Sequence, residues 1–336
     1  MPTTPVPPAD RGAPIWIGML ILYVVWGSTY LGIAIAVDTI PPFIMASVRF
    51  LAAGLVLMTW SIAREGRSFV VPARREWRDS AIVGALLLGG GMGMVAFGEQ
   101  TIPSGTAALV IATMPLCVAI LARVFLGERL PRLAIFGIVV GFVGVAILIG
   151  PSALGGSGAL DPLGLAAVLC SPIAWSVGSL FASHGAVLPR RPLVATGLQM
   201  ILGGVVLAAM AGLSGEFATF DVGAVSRDSF AAFLYLTVVG SLVAFTTFGW
   251  MLRVAPLPLV TTYAYVNPVV AVILGSIVLG EVVDARTAVA GAVIVFAVAL
   301  IVTARGRMSA PRALVDPETV ATANPPAIVA TPATTR

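Results

Sequence analysis

The chain has 336 residues, 59% of them hydrophobic and only 10% charged, with a mean hydropathy of +1.04 and a formal net charge of +4. A soluble domain carries roughly 25% charged residues, so a water-facing globule is excluded for most of the length. The basic residues are all arginines scattered through short loops, without a basic stripe or interleaved aromatics, which excludes nucleic acid as a partner.

Residues 1–14 are proline-rich and predicted to be a disordered N-terminal tail. Ten apolar segments follow, at 15–37, 43–63, 80–98, 106–126, 133–150, 162–183, 193–213, 229–250, 259–280 and 286–304. Each is close to the roughly 20 residues that a bilayer core requires of a helix. The first lacks a small-residue cleavage site and is read as a retained helix, not a signal peptide. Residues 305–336, rich in Ala, Thr and Pro, are predicted to be a disordered C-terminal tail.

Loop charge predicts the orientation. With the N-terminus cytoplasmic, the inside loops hold Arg11, Arg64, Arg67, Arg74, Arg75, Arg78, Arg129, Arg132, Arg190, Arg191, Arg253, Arg305, Arg307 and Arg312. The outside loops hold only Arg227 and Arg286, among acids such as Asp38, Asp161, Glu216 and Asp221. Basic residues favour the cytoplasmic side, so both termini are expected there.

The sequence also repeats. Trp26 in Trp-Gly-Ser-Thr-Tyr matches Trp175 in Trp-Ser-Val-Gly-Ser, and Arg49 through Gly54 match Gln199 through Gly204. Pro103 matches Pro256, Pro115 matches Pro268, and Leu126-Gly-Glu128 matches Leu279-Gly-Glu281. Each unit (15–150 and 151–304) holds five spans, an odd number, so the second copy is expected upside down. The predicted fold class is therefore an all-α membrane protein of ten transmembrane helices in two inverted five-helix repeats.

In order, the runs Trp26–Tyr30, Pro41-Pro42, Val48–Gly54, Pro103–Leu109, Leu126–Glu128 and Tyr263–Ala271 resemble the EamA family of the drug/metabolite transporter superfamily, over about residues 15–304. The resemblance implies a ten-helix inverted-repeat exporter or permease for metabolites or drugs.

Several residues could carry such chemistry. Arg49 lies about 10 Å into the second span at roughly 1.5 Å per residue, where an arginine costs about +2.5 to +3.5 kcal/mol. It either contacts an anion in a cavity or pairs with Glu99 to lock helices, and its repeat mate Gln199 is neutral. Glu99 and Gln100 sit at the outer mouth of the third span, where Glu99 is either a coupling carboxylate or a solvated loop residue. Pro115 and Pro268 each remove a backbone donor in mid-span, and matched helix breaks point to a binding site, the alternative being packing kinks. Tyr263, Tyr265 and Asn267 beside Pro268, with Trp26, Ser28, Thr29, Tyr30, Arg49 and Gln100 and with Trp175, Ser176, Ser179 and Gln199, would line a cavity. Ser and Thr also serve as packing residues, and Trp as an interface belt. Arg123 is expected to snorkel, Glu128 and Glu281 to cap turns, and Gly137 and Gly141 to bring helices close.

The leading expectation is a secondary exporter working by alternating access on a small amphipathic solute in the cell membrane, with a lipid flippase as the alternative. No GxxxxGK[ST] motif occurs, so ATP is not its direct energy source. An intramembrane enzyme is disfavoured: His184 is the only histidine, and Cys117 and Cys170 form no CxxC pair, so no metal or other cofactor is expected. The expected partners are the solute, the bilayer, a coupling proton and a second copy in a homodimer.

Overall fold

The computed structural model describes residues 12–128, 130–153, 160–255, 260 and 262–309, and among these it is helical without strands. Eight helices are long and apolar enough to cross a membrane: α1 (Ala13–Ala36), α2 (Pro42–Ser68), α3 (Arg74–Gly98), α4 (Ser104–Leu126), α6 (Pro162–His184), α7 (Pro192–Leu213), α8 (Arg227–Phe248) and α10 (Ala285–Ala304). Two more apolar helices, α5 (Arg132–Leu148) and α9 (Tyr263–Leu279), are shorter. Their outward sides carry Trp60, Phe136, Phe142, Ile277 and Phe296, all more than half exposed, as lipid-facing helices require. Of the predicted tails 1–14 and 305–336, residues 1–11 and 310–336 lie outside the described residues, while 12–14 and 305–309 are helical.

Some helix ends differ from expectation. Helix α3 begins at Arg74, not 80, because the Glu76 carboxylate accepts from the Ala73 N–H at 2.7 Å and closes the first turn. Arg74, Arg75 and Arg78 therefore ride on its first turns. His184 ends α6 instead of lying in a loop.

The main contacts pair helices five places apart: α2 lies along α7, α5 along α10, and α4 meets α9. Helix α1 packs on α8 and α9, while α6 packs on α3 and α4. At Gly54 the α2 and α7 backbones nearly touch, since a Cβ there would come within 2.8 Å of the Gly197 carbonyl oxygen. Gly137 does the same for α5 against α10, 3.0 Å from the Ala297 carbonyl oxygen, and Gly141 makes room for Leu116. Small residues are thus what lets these helices approach.

Acidic side chains tie the two faces. On one face, Asp79, fully buried, accepts from the Val187 N–H at 2.8 Å and pairs with Arg78, and Glu65 pairs with Arg191. On the other, Glu216 accepts from the Phe43 and Ile44 N–H groups at the start of α2. There also Glu281 accepts from the Ser104 N–H and hydroxyl, both at 2.7 Å, and from the Gly105 N–H at 3.0 Å. Carboxylates at helix N-termini satisfy donors that the helix leaves open. The turns after α4 and α9 end alike, with Gly127 and Gly280 both left-handed at φ 68°; Arg123 reaches the Gly127 and Glu128 carbonyls.

Candidate functional site

Between the helices lies a cavity of about 90 Å³. Seven predicted residues meet in its wall: Trp26, Thr29 and Tyr30 from α1, Arg49 from α2, Trp175 from α6, and Tyr263 and Asn267 from α9. They converge because α1 and α6 each stand beside the other half's α9 or the neighbouring α4, so both tryptophans turn inward.

Local backbone irregularity shapes the wall. Leu22–Trp26, Ala85–Gly93 and Leu236–Val243 are wound as π-helix, a wider turn that often marks functional sites. These stretches deliver Trp26 and Met92 to the cavity and Ser241 to Arg49. Helix α4 is interrupted at Ala112-Thr113, and Pro115 sits in the first turn of its second part, where a missing N–H costs nothing. Pro268 lies inside the helix Tyr263–Leu279, with no break at its own position.

Arg49 is 2% exposed. Its Nε donates to the Ser241 hydroxyl at 2.9 Å, and its guanidinium carbon stands 4.9 Å from the Phe50 ring centre. Among the described residues no carboxylate reaches it, so the pair with Glu99, one of the two readings open for Arg49, is not made. Glu99, just past α3 and 6% exposed, has neither carboxylate oxygen hydrogen-bonded. Burial, with the Glu281 charge adding to it, holds its carboxyl well above the usual carboxylate range. Asn267 is 8% exposed, and its Oδ1 has no hydrogen-bond partner.

Aromatic rings close one side. Trp26 packs on Tyr263, Phe248 and Phe245 with ring centres 4.9, 5.1 and 5.6 Å apart. Below them the Tyr23 and Thr262 hydroxyls share a 2.5 Å hydrogen bond, joining α1 to the start of α9. Phe245 also lines a recess on the face that holds Arg64, Glu65 and Arg191, so this ring is shared by the recess and the cavity.

Four predicted residues stand elsewhere. Ser28 donates to the Val25 carbonyl and shares a 2.6 Å hydrogen bond with the Tyr235 hydroxyl, fastening α1 to α8. Gln100 is exposed in the turn after α3. Gln199 belongs to the α7 contact with α3, its carbonyl lying 2.5 Å from where a Cβ on Gly84 would stand. Ser179 is half-buried, one turn beyond Trp175, and its carbonyl accepts from Ser183. The Tyr265 side chain lies outside the described residues. Ser176 turns back to the Pro172 carbonyl at 2.6 Å.

The wall also contains Met92, Met114, Ser171, Pro172 and Phe245, which sequence reasoning missed. Pro172, three residues before Trp175, was the available signal; the methionines and Phe245 are indistinguishable in sequence from lipid-facing apolar residues. No cluster of three metal-ligating side chains exists among the described residues, and Cys117 and Cys170 are free.

A bundle of apolar helices around one amphipathic cavity defines a multi-pass membrane protein of the transporter class. The profile of the EamA-like transporter family matches residues 14–150 and 162–303, and the chain belongs to that family. It is 38% identical to the "Uncharacterized inner membrane transporter YedA" of Escherichia coli (strain K12) over 86% of this chain and 90% of that one. It is 27% identical to "Protein PecM" of Dickeya dadantii (strain 3937), over 83% and 88%. A solved crystal structure at 20% identity has the same fold, with a TM-score of 0.60 over 88% of this chain and 99% of the other. The protein is a membrane transporter of the inner membrane, crossing it several times.

Proposed function

We propose that this transporter is a secondary exporter that binds a small amphipathic solute at mid-membrane and exposes it alternately to either side. The observation that carries the reading is the cavity wall. Trp26, Arg49 and Met92 come from the first half of the chain, and Trp175, Phe245 and Asn267 from the second. A site shared between halves changes its access when one half rocks against the other.

The architecture proposed with it is ten spans in two inverted five-helix repeats, with both termini cytoplasmic. The pairing of α2 with α7 and α5 with α10, and the equivalent packing of α1 on α8 and α6 on α3, supports the repeat. The arginine-rich loops support the orientation. Outward direction rests on the family resemblance.

Glu99 is our choice for a coupling proton. It is buried and unpaired; Glu281 and Tyr30 are the titratable groups acting on it, and no cation pairs with it among the described residues. Tyr30 also lines the cavity, so a residue that feels the Glu99 charge faces the solute space.

Counterflow into liposomes holding the purified protein tests the proposal, with amino acids, nucleobases, aromatic acids and cationic dyes, with and without a pH gradient. Saturable uptake of one class, abolished by Trp26→Ala with Asn267→Ala, is the expected result. No solute flux alongside accelerated lipid transbilayer movement would replace it with the flippase reading.

A further inference from the structure

Arg49 and Asn267 present complementary demands inside one apolar wall. A guanidinium has five N–H donors, and Arg49 spends one of them on Ser241. Burying the remaining charge without a counter-charge is costly; among the described residues the wall holds no Asp or Glu, Arg49 is its only charged residue, and the titratable group acting on it is the Tyr235 phenol. Gly240 packs directly on this fork, where a Cβ would stand 3.2 Å from Nη2. Asn267 Oδ1 is the opposite case, an acceptor buried without a donor.

Resting on the transporter reading above, we infer that the cavity takes an organic monoanion: an acid group on Arg49, a flat apolar body between the tryptophans, and a hydrogen-bond donor on Asn267 Oδ1. A cation meets Arg49 with no acidic group to offset the repulsion. A zwitterion satisfies Arg49 but needs somewhere to put its ammonium. The aromatic cluster does not offer that place. Trp26 meets Tyr263 at 75° and Phe245 at 72°, edge to face, so these rings cover one another's faces instead of turning them to an open box, which a cation–π site requires.

Isothermal titration of the purified wild-type protein with a series sharing one ring tests this: 4-hydroxyphenylacetate, phenylacetate, 4-hydroxyphenylacetamide, tyrosine and tyramine. The hydroxylated anion is expected to bind at least about 10-fold tighter than the amide, the zwitterion and the cation, the scale of a hydrogen bond to a charged group. Arg49→Gln should remove that preference by weakening the anion far more than the amide. Asn267→Leu should erase the difference between 4-hydroxyphenylacetate and phenylacetate. The wild-type ranking needs no variant to fold. Tyramine or tyrosine binding as tightly as the anion, or no member binding to folded protein, overturns the inference. Liposome flux of the same five compounds separates the two readings. Carriage of tyramine but not the anion keeps the transporter and removes the monoanion site. Tight anion binding without flux of any solute does the reverse.

Discussion

The turns after α4 and α9 and the two residues Arg49 and Gln199 are both matched pairs in the sequence, yet they behave differently. Gly127 and Gly280 adopt the same left-handed backbone at φ 68°, and each precedes a glutamate. Arg49 lines the cavity, whereas Gln199 is not among its lining residues and sets its backbone carbonyl against Gly84 of α3. Helix ends and contacts are kept in duplicate because both halves must bury the same kind of surface. The cavity carries charge from one half only, Arg49 being the single charged residue of its wall among the described residues. In this comparison the frame is the repeated part and the recognition chemistry the unique part.

The largest expected effect breaks the frame. Glu281→Ala strips three hydrogen bonds from the start of α4 and should cost about 2 kcal/mol, seen as a lower Tm in detergent. An unchanged Tm would mean that the duplicated caps contribute no stability. Next, Arg49→Gln should reduce solute affinity about 10-fold or more with a near-normal Tm, and adding Gln199→Arg should not rescue it. Rescue would show that the halves are interchangeable at this position and would sink the asymmetry argument.

A smaller effect is expected at the ring shared by cavity and recess. Phe245→Ala should let a thiol reagent added from the arginine-rich face reach a cysteine placed at Thr29 several-fold faster, and equal labelling rates would exclude Phe245 as a barrier. The mildest concerns Glu99. Its raised carboxyl pKa means that the folded protein holds this proton more tightly than the unfolded chain does. That stabilisation is present at low pH and is lost as pH rises through the folded value. Glu99→Gln should therefore flatten the alkaline side of the Tm profile and remove any dependence of flux on the pH gradient. A profile parallel to wild type would free Glu99 from both roles.

Much of this was legible in the linear order of residues. Apolar runs near 20 residues must become helices in lipid, since only helices or closed barrels satisfy their own backbone there. Leu-Gly-Glu signalled the capped turns, although not that Glu281 would cap α4 from across the chain. The buried arginine was conspicuous because its cost demands a reason. Only the tertiary structure decided which of two readings each polar residue takes. Ser28 and Thr29 are neighbours in sequence, yet one fastens α1 to α8 and the other faces the cavity, because adjacent helix positions point about 100° apart. Glu99 and Arg49 looked like a pair in one dimension and are separate in three. Helix rotation about its axis sets all of these, and rotation is chosen by packing against neighbours that the sequence of a single helix does not contain.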